Sequence, residues 1–478
     1  MAELALVQDE EMRAVLDLVQ AGPIRAYIAG GHVRDWLMGR PGKDIDLCLE
    51  WQAISTARRV ANATGGAFYV LDQEMDAARI LYPRRDIVID FAGLRGRNIV
   101  EDLRSRDLTV NAMGIALEDM RNENPTVLDP CAGRLDLAAG VLRATSEHAF
   151  RDDPVRLLRA VRLESTLPML IEPQTEAWMR RDAALLVETS AERIRQELLL
   201  ILGTEGVSRH VMRLQDLGLL GAVLPEVSSL CDIHGDGDKS STDCLDFTLQ
   251  STTHVERLTR GGLLQPEEQA SFGPYVQALD SYLGQLVCDR RTRGLMLILA
   301  TLLHHVGYPG PCSTAGQPVR GAGDEAANVL LRLRFSSREV ALVRSTVANA
   351  PLVRTLAENS AWDRRELYRY FRKANDAVLE PILLAWADYL AERETRASAL
   401  QRVVLPELIS ELLGHYFDHP EQLVRPPALA TGGDVMDWLG LEPGPIVGSL
   451  LEQLREEQAT GAIRNHEQAE AYLRAARV

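Results

Sequence analysis

Apolar positions in the first 145 residues follow two periods. AYIAGG (26–31), DIDLCLE (44–50), AFYVLD (67–72) and DIVIDFA (86–92) are short runs with the length and composition of strands. EEMRAVLDLVQA (10–21) and ISTARRVANATG (54–65) repeat instead at helical spacing. Together they predict a small α/β module. Beyond about residue 146 strand signals fade, and DDPVRLLRAVRLES and SAERIRQELLLILG have helical periodicity, with Ser190 placed to cap the second. The expected fold class is therefore α+β, an α/β head followed by all-α segments. Stretches rich in glycine, proline, aspartate and serine at 232–243, 307–323 and 425–434 mark breaks in the helical part.

The densest chemistry lies in IAGGHVRDWLMGRPGKDIDLCLE. A strand ending at Gly30-Gly31 can turn tightly into a helix, because glycine accepts positive φ. The helix N-terminus then offers free N–H groups to a phosphate, with Arg34 on its first turn. Asp44 and Asp46 lie two residues apart on a predicted strand, which puts both on one face. Two carboxylates so close repel unless a cation sits between them, and hard oxygen ligands suit Mg²⁺ with substrate phosphates. Asp90, on the next strand, is either a third acid beside the pair or an edge-strand carboxylate.

Composition narrows the class. The net charge of −16 excludes a generic nucleic-acid coat, so any RNA contact must be a local patch. Basic residues are nearly all arginine; Lys43, Lys239 and Lys373 are the only lysines. No apolar run has the length of a membrane span, and the acidic start lacks a secretory pattern, so the expected location is cytoplasmic. The six cysteines are scattered without a C-x-x-C pair and read as incidental reduced thiols.

GGHVRDWLMGRPGKDIDL resembles the head signature of class II tRNA nucleotidyltransferases and bacterial poly(A) polymerases, members of the polymerase-β-like superfamily. The resemblance continues in order. EDLRSRDLTVNAMGIAL (101–117) is similar to a second motif, with Ser105 in place of an arginine and Leu108 in place of a phenylalanine. VLDPCAGRLDLAAGVLRAT (127–145) looks like the hinge segment, DDPVRLLRAVRL (152–163) like the base-reading motif, and SAERIRQELLLIL (190–202) like the neck helix. It implies that Asp44 and Asp46 are catalytic and hold the metal. Gly30, Gly31, Arg34, Arg106, Asp107 and Asn111 would contact the nucleotide. Asp153 and Arg156 would read the base edge of the incoming nucleotide, and Arg159 and Arg162 would grip its triphosphate. Asp152 stands where glutamate is common.

The resemblance further implies four parts: a nucleotidyltransferase head at 1–145, a helical neck at 146–205, a body at 206–400 and a tail at 401–478 in possible RNA contact. Segments 246–258 and 299–310 look like remnants of an HD-type phosphohydrolase. Phe247 stands at the first histidine position, His305 at the aspartate and Tyr308 at the lysine, while His304 is retained. A structural, non-hydrolytic body is expected; only His254 with His305 could rebuild a site. The implied reaction is template-independent addition of C, A or both to the 3′ end of tRNA, from CTP and ATP with Mg²⁺. Addition of C-C only, poly(A) synthesis and a non-catalytic RNA-binding relative are the alternatives. The short segment GLRGRNIV (93–100) resembles the loop-poor subgroup, which includes C-C-adding enzymes. Poly(A) polymerases of this family tend to be basic, which this chain is not.

Overall fold

The computed structural model describes residues 10–475 except 41–43, 83–86, 123, 234–243, 262–265, 308–320, 359–361 and 396–403. The chain divides into two compact units: residues 1–190 with 216–219, and residues 191–215 with 220–478.

The first unit is built on a seven-stranded sheet. Its elements are α1 (Glu10–Gln20), β1 (Ala26–Ala29), α2 (Gly31–Leu37), β2 (Asp44–Leu49), α3 (Ala53–Thr64), β3 (Ala67–Asp72), β4 (Ala77–Tyr82), β5 (Ile87–Gly93), α4 (Ile99–Arg104), β6 (Gly114–Ala116), β7 (Val127–Leu128), α5 (Gly133–Ala139), β8 (Val141–Leu142), α6 (Ala149–Asp152), α7 (Arg156–Thr166), β9 (Leu170–Ile171) and α8 (Pro173–Asp182). Strand order is β3-β4-β5-β2-β1-β6-β7. Only β2 and β5 pair in parallel within it; every other pairing is antiparallel. A parallel pair needs a long crossover, and here α3 with the β3–β4 hairpin supplies it.

All four anticipated strands and both helices form, with ends shifted by a residue or a few. Strand β4 was not anticipated. Met12, Val15, Leu16 and Val19 give α1 one apolar stripe, which packs with Ala57 and Val60 of α3 on Ile45, Leu47, Ile89 and Phe91 of the sheet. Alternation along β2 therefore sends Ile45, Leu47 and Leu49 into the core and leaves Asp46 exposed. At the β3–β4 turn, Asp76 accepts bonds from the free N–H groups of Ala53 (2.7 Å) and Ile54 (2.9 Å), capping α3 from another element.

The second unit is helical, with one two-stranded ribbon, Leu286–Cys288 with Arg291–Thr292. Helices Cys244–Thr259, Arg293–Leu303, Ser337–Glu358 and Leu379–Thr395 form its centre around the fully buried Trp386. A separate small core joins Val435, Leu450, Leu454 and Leu473. Where the sequence suggested HD remnants, Phe247 packs on His305 with ring centroids 5.5 Å apart. His304 Nε2 lies 3.1 Å from Asp388, which also accepts a 2.7 Å bond from Ser251. His254 pairs at 3.4 Å with Glu394, not with His305, and Tyr308 lies outside the described residues. Cys48, Cys131 and Cys288 are free thiols.

Candidate functional site

The site begins where β1 ends. Gly30 has φ +83° and ψ −141°, a region a side chain rarely enters, and its N–H donates to the Met113 carbonyl at 3.0 Å. The reason for a glycine is spatial as well. A Cβ at this position would lie 2.7 Å from Arg106 Nη1 and 3.4 Å from Asp46 Oδ2. The corner therefore brings together a guanidinium and a carboxylate from sequence positions far apart.

Arg106 is held from behind. Asp102, four residues earlier, accepts its Nε at 3.2 Å and Nη2 at 3.1 Å, and Nη2 also donates to Cys48 Sγ at 3.1 Å. Burial disfavours the charged guanidinium, but the Asp102 and Asp46 carboxylates outweigh it and raise the Arg106 pKa. Burial pushes the Cys48 thiol up to about 11, against the pull of Arg106, so the sulfur stays protonated. Asp46 pairs in parallel register with Asp90 on β5, and Asp44 with Val88. The Asp44 side chain lies outside the described part of the structure. Asp90 is gripped bidentately by Arg79 of β4, at 2.7 and 2.8 Å.

A second set of predicted residues forms a continuous chain. Arg34 folds back over Gly31 and donates to Asn111 Oδ1 at 2.6 Å. Asn111 donates to Asp107 at 3.1 Å, and Arg159 of α7 meets the other Asp107 oxygen at 3.4 Å. Burial raises the Asp107 pKa, but Arg159, Asn111 and the Leu108 N–H hold the carboxyl below its ordinary value. The short turn Thr109–Asn111 that carries Asn111 is braced by α5. Asp129 caps that helix at Gly133 (2.7 Å), a Cβ at Gly133 would sit 2.1 Å from the Thr109 carbonyl, and Thr109 donates to Asp136 at 2.7 Å. The hinge-like D-P-x-x-G pattern is thus a brace under this turn.

The expected continuous helix through Asp153 and Arg156 does not form. Pro154 disfavours helical geometry at the residue before it, and Asp153 is extended (φ −155°, ψ 97°) while Arg156 opens α7. Their side chains approach only to 4.0 Å. Arg156 is buried and donates to two backbone carbonyls, Ala149 at 3.1 Å and Ser105 at 2.9 Å; burial lowers its pKa. Arg162 is half-buried farther along α7. Sequence reasoning passed over Asp102, Arg79 and Cys48. The i, i+4 spacing of Asp102 and Arg106 was a usable signal; the other two depend on sheet register.

Among the described residues no group of three or more His, Cys, Asp or Glu could hold a metal. The hard oxygen donors present are Asp46, exposed beside the corner, and Asp90, beside it in register.

Comparison with known proteins agrees with these motifs. Residues 26–143 match the poly(A) polymerase head domain, and residues 169–231 match the probable RNA- and SrmB-binding site of polymerase A. The chain is 32% identical over 469 residues to an A-adding tRNA nucleotidyltransferase of Deinococcus radiodurans, covering 94% of this chain and 95% of that protein. It is 30% identical over 459 residues to a CC-adding tRNA nucleotidyltransferase of Geobacter sulfurreducens, covering 96% and 94%. Among solved structures, a CCA-adding enzyme with ATP matches at TM-score 0.65 and 19% identity, covering 98% of this chain and 97% of that one. The Thermotoga maritima CCA-adding enzyme with tRNA matches at TM-score 0.60 and 20% identity, covering 99% and 98%. At such identities these structures speak to the fold.

Proposed function

Because the chain belongs to the family of class II tRNA nucleotidyltransferases and bacterial poly(A) polymerases, we propose that it adds C, A or both to the 3′ end of tRNA, taking CTP and ATP as donors. The observation that carries this reading is the glycine corner, where Asp46 and Arg106 converge on one backbone turn. A protein that only bound RNA would not need an exposed carboxylate and a braced guanidinium at that corner. The activity belongs in the cytoplasm; no described helix is long and apolar enough to cross a membrane.

Members of this family generally use a divalent metal, and the hard oxygen donors at this corner fit Mg²⁺. Asp44 and Asp46 would hold it, with Asp90 adjacent. When bound, such an ion stabilises charge on the reacting phosphate and activates the attacking hydroxyl. The protein's own groups do the rest. Arg34 and Arg106 neutralise triphosphate oxygens, aided by Arg159 and Arg162. Asp107 and Asn111 fix Arg34 and Arg159 and meet the sugar. Gly30 and Gly31 let the phosphates reach the backbone. Asp153 and Arg156 read the base: a carboxylate accepts from an exocyclic amine, and a guanidinium donates to a ring nitrogen or carbonyl. Arg156 exchanges one of its two carbonyl partners for the base when nucleotide enters.

We assign catalysis to residues 1–145, base selection to 146–205, and support and RNA contact to 206–400 and 401–478. A second reading, addition of C only, draws on the connection between β5 and α4. It is short and tied down: the Arg95 N–H donates to Asp102 at 2.9 Å, the Arg97 N–H to Glu101 at 2.9 Å, and Asn98 caps α4. Poly(A) synthesis fits poorly with a net charge of −16. The deciding experiment gives purified protein a tRNA lacking its 3′ end, with CTP alone, ATP alone and both, and sizes products to one nucleotide. Addition limited to two C with both substrates selects the second reading. No addition under any condition, either to this tRNA or to one already ending in C-C, overturns the proposal.

A further inference from the structure

The helix Arg364–Ala374 carries five basic residues, Arg364, Arg365, Arg369, Arg372 and Lys373, against one acid, Glu366. That is a strongly positive helix in a chain of net charge −16. One face is apolar and buried through Leu367, Tyr368, Tyr370 and Phe371. Arg365, Arg369 and Arg372 recur at i, i+4 and i+7, which aligns them as one stripe.

That stripe is covered by acids of the tail helix Pro445–Ala459. Arg365 pairs with Glu456 (3.2 Å) and Glu457 (2.8 Å), Arg369 with Glu456 (2.5 Å), and Arg372 bidentately with Glu452 (2.8 and 2.9 Å). Tyr368 adds a 3.1 Å bond to Glu452. The apolar side chains of the tail segment pack on one another, between Ala430 and Leu473. Besides a 2.9 Å bond from Arg364 Nε to the Ala459 carbonyl, the polar contacts that join the two helices are this row of pairs, with its arginine side chains 36–62% exposed. Pairs this exposed hold weakly and are screened by salt. An RNA backbone offers the same anionic groups at higher density and gains by releasing its counterions.

We propose that the stripe Arg365–Arg369–Arg372 is a phosphate-backbone-binding surface for RNA, covered in the free protein by Glu452, Glu456 and Glu457, which the RNA displaces. The ligand class follows from the occupant. Three carboxylates in a row stand where phosphates would, and the stripe lacks the apolar centre that a protein partner would bury. The inference rests on the proposed function only in taking RNA as the ligand.

The test measures binding of tRNA lacking its 3′ end across a KCl series, without CTP or ATP. E452Q/E456Q/E457Q uncovers the stripe. It is expected to bind on the order of tenfold tighter at low salt, because the RNA no longer competes with the carboxylates. E394Q/E421Q/E467Q changes the net charge equally on other exposed acids and is expected to stay near the wild-type affinity. R365Q/R369Q/R372Q removes the stripe and is expected to make the slope of log Kd against log salt shallower than wild type by about two to three, one phosphate contact per arginine. Equal affinities in the two glutamine triples, or an unchanged slope in the arginine triple, overturn the proposal. In wild-type protein, RNA is expected to speed hydrogen exchange in Pro445–Ala459; unchanged or slower exchange overturns the displacement. Because binding is read without nucleotide, wild-type protein that fails to extend the tRNA refutes the reaction and leaves this measurement standing.

Discussion

Replacing Gly30 with alanine perturbs the corner by one methyl group, and the structure sets the size of the effect. At φ +83° and ψ −141° a residue with a Cβ carries about 1–3 kcal/mol of backbone strain. The methyl also arrives 2.7 Å from Arg106 Nη1, closer than real Cβ contacts come. Arg106 cannot recoil freely, because Asp102 and Cys48 hold its far side at 3.1–3.2 Å. Giving up part of those charged bonds adds about 1.5–3 kcal/mol. Gly30→Ala is therefore expected to destabilise the first unit by roughly 2.5–6 kcal/mol, the sum of those two ranges. It should also shift the guanidinium on the order of 1 Å, and a misplacement of that size lowers rate about a hundredfold. Gly39 is the control: its φ is +69°, but nothing lies within 4 Å of an added Cβ. Gly39→Ala should lose about 1–2 kcal/mol and keep its activity. The assay is urea unfolding with kcat/KM for nucleotide addition at a temperature where each variant is folded. Gly30→Ala retaining kcat/KM within threefold of wild type would refute the reasoning. So would Gly39→Ala losing as much activity as Gly30→Ala.

Asp44→Ala with Asp46→Ala is expected to abolish nucleotide addition and leave the far-ultraviolet spectrum and melting profile in place; residual addition above a few per cent counts against the metal assignment. Asp153→Ala is expected to blur the choice between CTP and ATP more than it slows total turnover, read as the ratio of kcat/KM values, and an unchanged ratio removes Asp153 from base reading. His305 provides a pH prediction. Burial, with His304 and Arg354 nearby, outweighs Asp388 and holds its folded-state pKa well below 6.5. The unfolded chain then takes up a proton near pH 6.5 that the folded one refuses, so stability falls as pH drops through that value, by about 1.4 kcal/mol per pH unit. Urea unfolding of His305→Gln between pH 7.5 and 5.5 should show a smaller loss than wild type; equal losses would acquit this histidine.

The strand and helix pattern of the head was readable because each element shows its own period over a short window. The site was readable only in parts. Gly30-Gly31 and the Asp44/Asp46 spacing are local, and they stand out in one chain. The adjacency of Asp46 to Asp90 is not local: it depends on a parallel pairing across α3 and the β3–β4 hairpin, and no window of sequence contains both residues in register. Arg79 was missed for the same reason, since its role exists only once β4 lies beside β5. The break before Arg156 was legible. Pro154 announced it, but the strong apolar spacing of the following residues drew Asp153 into the helix. The pairing of the arginines of Arg364–Ala374 was not legible, because their acidic partners lie 80 to 92 positions downstream.

Arg156 is anchored on main-chain oxygens, those of Ser105 and Ala149. Every residue type presents the same carbonyl, so the anchorage does not depend on which side chain stands at position 105. This chain holds serine there and keeps the guanidinium parked. Variation at that position is thereby uncoupled from the resting pose of a neighbouring arginine. A substitution at position 105 is then expected to leave that anchorage in place.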